Sequence, residues 1–118
     1  MTDIAAAVND YIATWNERDA QRRRELVTQT FADDASYLDA HRAGECHDGI
    51  EAMIAQAQDR FPGHRIDLVF GPDAHNDRVR FSWSRVGPDG PVGGGTDFAT
   101  IEPDGRLSAV TGFSDAPA

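Results

Sequence analysis

At Pro62-Gly63 the apolar pattern of this chain changes from a helical period to an alternating one, and few folds accommodate both halves. Upstream, Ile4, Val8, Tyr11, Ile12 and Trp15 recur at helical spacings, which puts them on one buried face. Asp19 is placed to cap a second helix through Leu26, Val27, Thr30 and Phe31, with Arg22-Arg23-Arg24 on its solvated side. Asp33-Asp34 then breaks the pattern, and a short alternating run, Ala35 to Asp39, sets Tyr37 and Asp39 on one face. Asp48 and Glu51, three residues apart at the start of the run Ile50, Met53, Ile54, Ala57 and Phe61, read as a capping box opening a third helix.

Downstream, Ile66, Leu68 and Phe70 alternate with polar neighbours, and Val79, Phe81 and Trp83 alternate with Arg78, Arg80 and Ser82. Turns are expected at Gly71-Pro72-Asp73, Gly87-Pro88-Asp89-Gly90 and Pro103-Asp104-Gly105. They separate four strands, the last two being Val92 to Glu102 and Arg106 to Phe113, in an antiparallel meander. Three helices followed by such a sheet give an α+β domain in which the sheet wraps the first helix and leaves room for a cavity. The glycines at 93 to 95 remove side chains from one strand, so it bends there or lets a ligand approach. They lack the lysine and following helix of a phosphate loop.

With 118 residues there is room for one domain, expected to span 1–118. The net charge of −9, with arginine as the only strong cation, argues against a nucleic-acid or membrane-surface partner. No apolar run is long enough to span a bilayer and no basic, apolar leader opens the chain, so the expected location is cytoplasmic. Cys46 is the single cysteine, and it and the flanking His41 and His47 lack a recurring ligand spacing, so neither a metal nor a cofactor is expected.

Three polar residues on inward faces call for a chemical account. Tyr11 sits on the apolar stripe of the first helix, where its hydroxyl needs a partner or a ligand. Asp39 either ends its strand before a polar loop or faces a pocket. Asp97 shares a strand face with Ala99 and Ile101, so burial of that face takes the carboxyl inward and raises its pKa. Trp15, Tyr37, Met53, Phe61, Phe81, Trp83 and Phe113 are expected as core or pocket wall, and His75, near a hairpin, either faces the pocket as a donor or lies on a surface loop.

The order of elements, the opening Tyr11-Ile12-Ala13-Thr14-Trp15-Asn16-Glu17-Arg18-Asp19, and Asp97-Phe98-Ala99-Thr100-Ile101 leading into Asp104-Gly105-Arg106-Leu107 resemble the nuclear transport factor 2-like superfamily. Asp34-Ala35-Ser36-Tyr37-Leu38-Asp39, His47-Asp48-Gly49-Ile50 and Gly112-Phe113-Ser114-Asp115 are most similar to its small SnoaL-like proteins. The resemblance implies a cone in which the helices pack in the concave face of a curved, mainly antiparallel sheet, as in cystatin-like folds. It also implies a homodimer through the outer sheet face, where Arg78, Arg80, Ser82 and Ser84 lie.

By resemblance to the ketosteroid isomerases of that superfamily, Asp39 would be a general base, with Tyr11 and a protonated Asp97 donating to the developing oxyanion; that enzyme is itself a standard worked case of carboxyl pKa tuning. The chain has only Tyr11 and Tyr37, so the supporting tyrosines of those enzymes are not matched. The expected activity is isomerisation or cyclisation of a small hydrophobic carbonyl compound without a cofactor. The alternatives are a silent pocket for a hydrophobic ligand and a dimeric interaction module.

Overall fold

The computed structural model describes residues 3–115. Helix α1 (Ile4–Asn16) starts where the Asp3 carboxylate accepts from the Ala6 amide, and α2 (Ala20–Thr30) where Asp19 accepts from the amides of Gln21 and Arg22. Each cap satisfies N–H groups that the first turn leaves without a partner. The chain continues through β1 (Phe31–Leu38), β2 (Ala43–Glu45), α3 (Cys46–Arg60), β3 (Arg65–His75), β4 (Arg78–Gly87), β5 (Gly90–Ile101) and β6 (Leu107–Ser114). The six strands form one sheet in the order β2-β1-β6-β5-β4-β3. All neighbours pair antiparallel except β1 and β6, which run parallel.

The alternation decides which side of this curved, unclosed sheet is covered. Val79 and Phe81 on β4, Asp97, Ala99 and Ile101 on β5, and Leu107 and Val110 on β6 all face the helices and are buried. The apolar ones pack with Val8, Tyr11, Val27, Phe31, Ile50 and Ile54 in one core. The period-2 and helical patterns therefore point their apolar sets at each other, which gives the three-helix, curved-sheet cone expected from the sequence.

Four local expectations are corrected. Gly71-Pro72 does not end a strand: β3 runs through it to a hairpin at Asn76-Asp77, and its pairing with β4 slips between Leu68 and Phe70 and again before Asp73. Gly71 takes φ +92 there, which only glycine tolerates readily, and a proline is accommodated because β3 is a sheet edge. The slip turns Phe70 outward, to 58% exposure.

The capping box is also absent. Helix α3 begins at Cys46, and Glu51 instead accepts both of its bonds from Arg23 Nε, at 3.1 Å each. Arg23 is accordingly not solvated; it is buried among the helices, donating also to the Glu17 carbonyl and to Gln58 Oε1. Finally, Gly95 admits no ligand. A Cβ there would fall 2.8 Å from Trp83 Cζ2, so the indole itself covers the glycine of the paired strand.

Candidate active site

The position of Trp83 follows from that glycine, and the site is built on it. Lying across from Gly95, the indole reaches two residues along β5, and its Nε1 donates to Asp97 Oδ1 at 3.0 Å. From the helix side, the Tyr11 hydroxyl donates to Asp97 Oδ2 at 2.6 Å. Asp97 is 3% exposed and Tyr11 1%, so a carboxyl is held in the core by two donors from opposite layers. Burial raises the Asp97 pKa, the bonds from Tyr11 and Trp83 lower it by less, and the Asp39 charge adds to the rise. The Tyr11 hydroxyl is pushed well above its ordinary value, first by burial and then by Asp97.

A second tyrosine–aspartate pair stands beside the first. The Tyr37 hydroxyl donates to Asp39 Oδ2 at 2.7 Å, and burial followed by the nearby Asp97 raises the Tyr37 pKa as well. The two pairs meet over Gly112. A Cβ at that position would lie 2.8 Å from Asp97 Oδ1, 3.0 Å from the Tyr37 hydroxyl and 3.4 Å from Asp39 Cβ. Only a residue without a side chain leaves the space in which these groups converge.

Beside this convergence lies a narrow cleft lined by Tyr11, Ile12, Trp15, Tyr37, Arg42, Ile66, Trp83, Arg85 and Asp97. Its free interior is about 20 Å³, room for little more than a water molecule and well below the roughly 300–1,000 Å³ of ordinary ligand pockets. Trp15 packs edge-on to Tyr11 with ring centroids 6.3 Å apart. Its Nε1 is buried and has no hydrogen-bond partner among the described residues.

The expected site residues divide as follows. Tyr11, Asp97, Trp15, Tyr37 and Trp83 come together on the cleft wall. Phe81 is fully buried behind it, 5.2 Å from the Tyr11 ring. Asp39 lies beside the cleft and does not line it: one residue past β1, it turns Oδ1 to the amides of His41 and Arg42 and gives Oδ2 to Tyr37. Tyr37 occupies the wall position expected of Asp39.

Met53 is core and borders a separate depression with His41, Arg42 and Phe61. Phe113 is 62% exposed, because Val110 and Gly112 take the inward parity of β6. His75 is also exposed, bonded to Asn76 at the tip of a hairpin whose β3 side, 73–75, is exposed beyond the slip. Sequence reasoning missed Arg85. The signal was present: Val79, Phe81 and Trp83 set an inward parity, and Arg85 is the next residue on it.

Among the described residues no group of three or more His, Cys, Asp or Glu is placed to hold a metal ion, and no helix is long and apolar enough to cross a membrane.

The structure superposes on that of a SnoaL-like family protein from Agrobacterium tumefaciens strain C58, provisionally assigned as an isomerase, with a TM-score of 0.92. The two are 44% identical over 98% of this chain and 100% of that one. The chain belongs to the SnoaL-like family. More distant structures share the fold of this SnoaL-like protein. A protein from Sinorhizobium meliloti, provisionally assigned as a polyketide cyclase, aligns at 22% identity and TM-score 0.72, covering 92% of this chain and 94% of that one. A nuclear transport factor 2-like protein of unknown function from Exiguobacterium aligns at 15% identity and TM-score 0.73, covering 94% and 99%. No protein-family model matches the sequence, and no curated protein matches it.

Proposed function

We propose that this SnoaL-like protein is a cofactor-independent isomerase or cyclase that moves a proton on a small carbonyl compound, with Asp97 as the proton carrier. The observation that carries this reading is a buried carboxyl on a cleft wall, raised in pKa and in contact with a neutral tyrosine. A carboxylate with a raised pKa is a stronger base than an exposed one, and abstraction next to a carbonyl also needs donors for the oxygen that becomes negative. Tyr11 and the unpartnered Nε1 of Trp15 are the donors at hand.

In the proposed step, Asp97 takes the proton from the carbon next to the carbonyl and the C–H electron pair passes to the carbonyl oxygen. The Tyr11 hydroxyl, relieved of an ionised partner, turns its hydrogen to that oxygen. Return of the proton from Asp97 to another carbon completes an isomerisation; attack of the enolate carbon on a second carbonyl, with the proton delivered to the new alkoxide, completes a ring closure. Asp39 anchors Tyr37 at the wall.

The test is deuterium incorporation next to the carbonyl of compact ketones in D2O, followed by NMR. The wild type is expected to accelerate exchange of at least one ketone, and Asp97→Asn to lose about 10²–10⁴ of that rate. Exchange undiminished in Asp97→Asn, or none across the panel, refutes the reading.

The working unit we propose is a homodimer formed through the outer sheet face. Two cross-sheet rows, Phe70-Ser82-Thr96-Phe113 and Asp73-Arg80-Phe98-Thr111-Leu38, run side by side over it. They carry four of the large exposed apolar residues, and Phe98 meets Phe113 edge-on at 6.2 Å. Phe98→Glu is expected to shift the protein from dimer to monomer in sedimentation; an unaltered mass, or a monomeric wild type, contradicts it.

A further inference from the structure

The mouth of the cleft has a chemistry that proton transfer on a carbonyl does not use. Its inner end is acidic and aromatic, with Tyr11 and Asp97 almost fully buried, whereas its more open lining includes Arg42 and Arg85. On a chain carrying −9, the surface arginines commonly sit against an acid: Arg22 against Glu17, Arg65 against Asp67, Arg80 against Asp73 and Arg106 against Asp33 and Asp104. Arg85 does not. Half-buried, it makes no hydrogen bond or ion pair among the described residues, and its guanidinium lies 4.0 Å from the centroid of the Phe61 ring.

Its neighbours make that position costly without an anion. Burial is the largest influence pulling the Arg85 pKa below the ordinary arginine value, and the Arg42 charge is the next. Arg42 is only partly neutralised, its Nη1 standing 3.8 Å from Asp39 Oδ2. Two guanidinium groups thus line the same narrow cleft, and neither spends a donor on a hydrogen bond among the described residues. Guanidinium donors in this setting match the paired oxygens of a carboxylate.

We infer that the substrate of this site is a slender carbonyl compound bearing a carboxylate, an oxo acid whose carboxylate is held by Arg85 and Arg42 while its carbonyl end enters between Tyr11, Trp15 and Asp97. This rests on the isomerase or cyclase reading for the carbonyl end, but the carboxylate subsite is separable from it. The expected class therefore departs from an uncharged hydrophobic ligand. Arg85 is a binding residue in this account, and Phe61 positions it.

Calorimetric titration with 4-oxopentanoate and with its primary amide, matched in shape and different in charge, tests the inference. The wild type is expected to bind the acid about tenfold or more tightly than the amide, with the margin narrowing at high salt. Arg85→Gln is expected to abolish the preference and Arg85→Lys to keep part of it. Equal binding of the two probes, a preference that survives Arg85→Gln, or no binding of either at millimolar concentration overturns the inference. Asp97→Asn separates the two readings: it is expected to keep the charge preference while losing deuterium exchange. A wild type that shows the preference but accelerates no exchange counts against proton transfer alone, and a wild type that accelerates exchange without the preference counts against the carboxylate subsite alone.

Discussion

Gly112→Ala is the smallest change that reaches the centre of the site, because one methyl group would enter the space where both tyrosine–aspartate pairs meet. Its carbon would stand 2.8 Å from Asp97 Oδ1 and 3.0 Å from the Tyr37 hydroxyl. Neither neighbour is the loose end of a flexible chain. Asp97 is pinned by Tyr11 at 2.6 Å and Trp83 at 3.0 Å, and Tyr37 by Asp39 at 2.7 Å. Retreat by several tenths of an ångström therefore stretches at least one bond to a carboxylate.

Overpacking of this kind costs about 1–3 kcal/mol. At roughly 4 °C of Tm per kcal/mol for a domain of this size, Gly112→Ala should melt about 4–12 °C below the wild type. Gly93→Ala, on the adjacent strand, is the control: a Cβ there meets nothing within 4 Å, so the change should lie within about 1 kcal/mol of neutral and on the stabilising side. Urea unfolding of the three proteins measures the difference. Equal midpoints for Gly112→Ala and wild type would refute the claim that the convergence is tight and preorganised.

Other parts of the account are checked singly. Trp83→Phe keeps a ring over Gly95 and removes the donor to Asp97, so it should lower stability by about 1.5–3 kcal/mol at neutral pH and push the Asp97 pKa further up, read by carboxyl NMR. Arg23→Ala takes the buried cation from Glu51 and Gln58 and should cost about 3–5 kcal/mol in urea unfolding, where a solvated arginine would cost almost nothing. Asp97 also imposes a pH dependence. Its folded pKa is raised, so the folded state holds the proton more firmly than the unfolded one; its contribution to stability is complete below the unfolded pKa and is lost as pH rises through the folded value. The stability of Asp97→Asn, which lacks this titration, should not fall over that window.

The element order, apart from the three-residue strand β2, was legible because periodicity is a local property: the helical stripe of α1, the Asp19 cap and the alternation of β4 and β5 each read off a few neighbours. So was the inward carboxyl, since Asp97 shares parity with Ala99 and Ile101. What stayed hidden depends on partners distant in the chain. Gly71-Pro72 has the composition of a turn and became a slip in an edge strand because β4 continues to pair on both sides.

Glu51 has the spacing of a cap residue and was claimed by Arg23 on another helix. Asp39 shares a face with Tyr37, but the amides of its own turn draw its carboxylate away from the cleft. The convergence at Gly112 joins α1, β1, β4, β5 and β6, and no window of the sequence contains it.

The central claim is that Asp97 is an acid tuned upward by burial so that it can carry a proton. Carboxyl-carbon NMR of Asp97, titrated in the wild type and in Tyr11→Phe, tests it most directly. The account predicts a midpoint above the ordinary aspartate value of about 4 in the wild type, and a higher one in Tyr11→Phe, where the largest of the two opposing hydrogen bonds is gone. A wild-type midpoint at or below the ordinary value, or one that does not move in Tyr11→Phe, would contradict it.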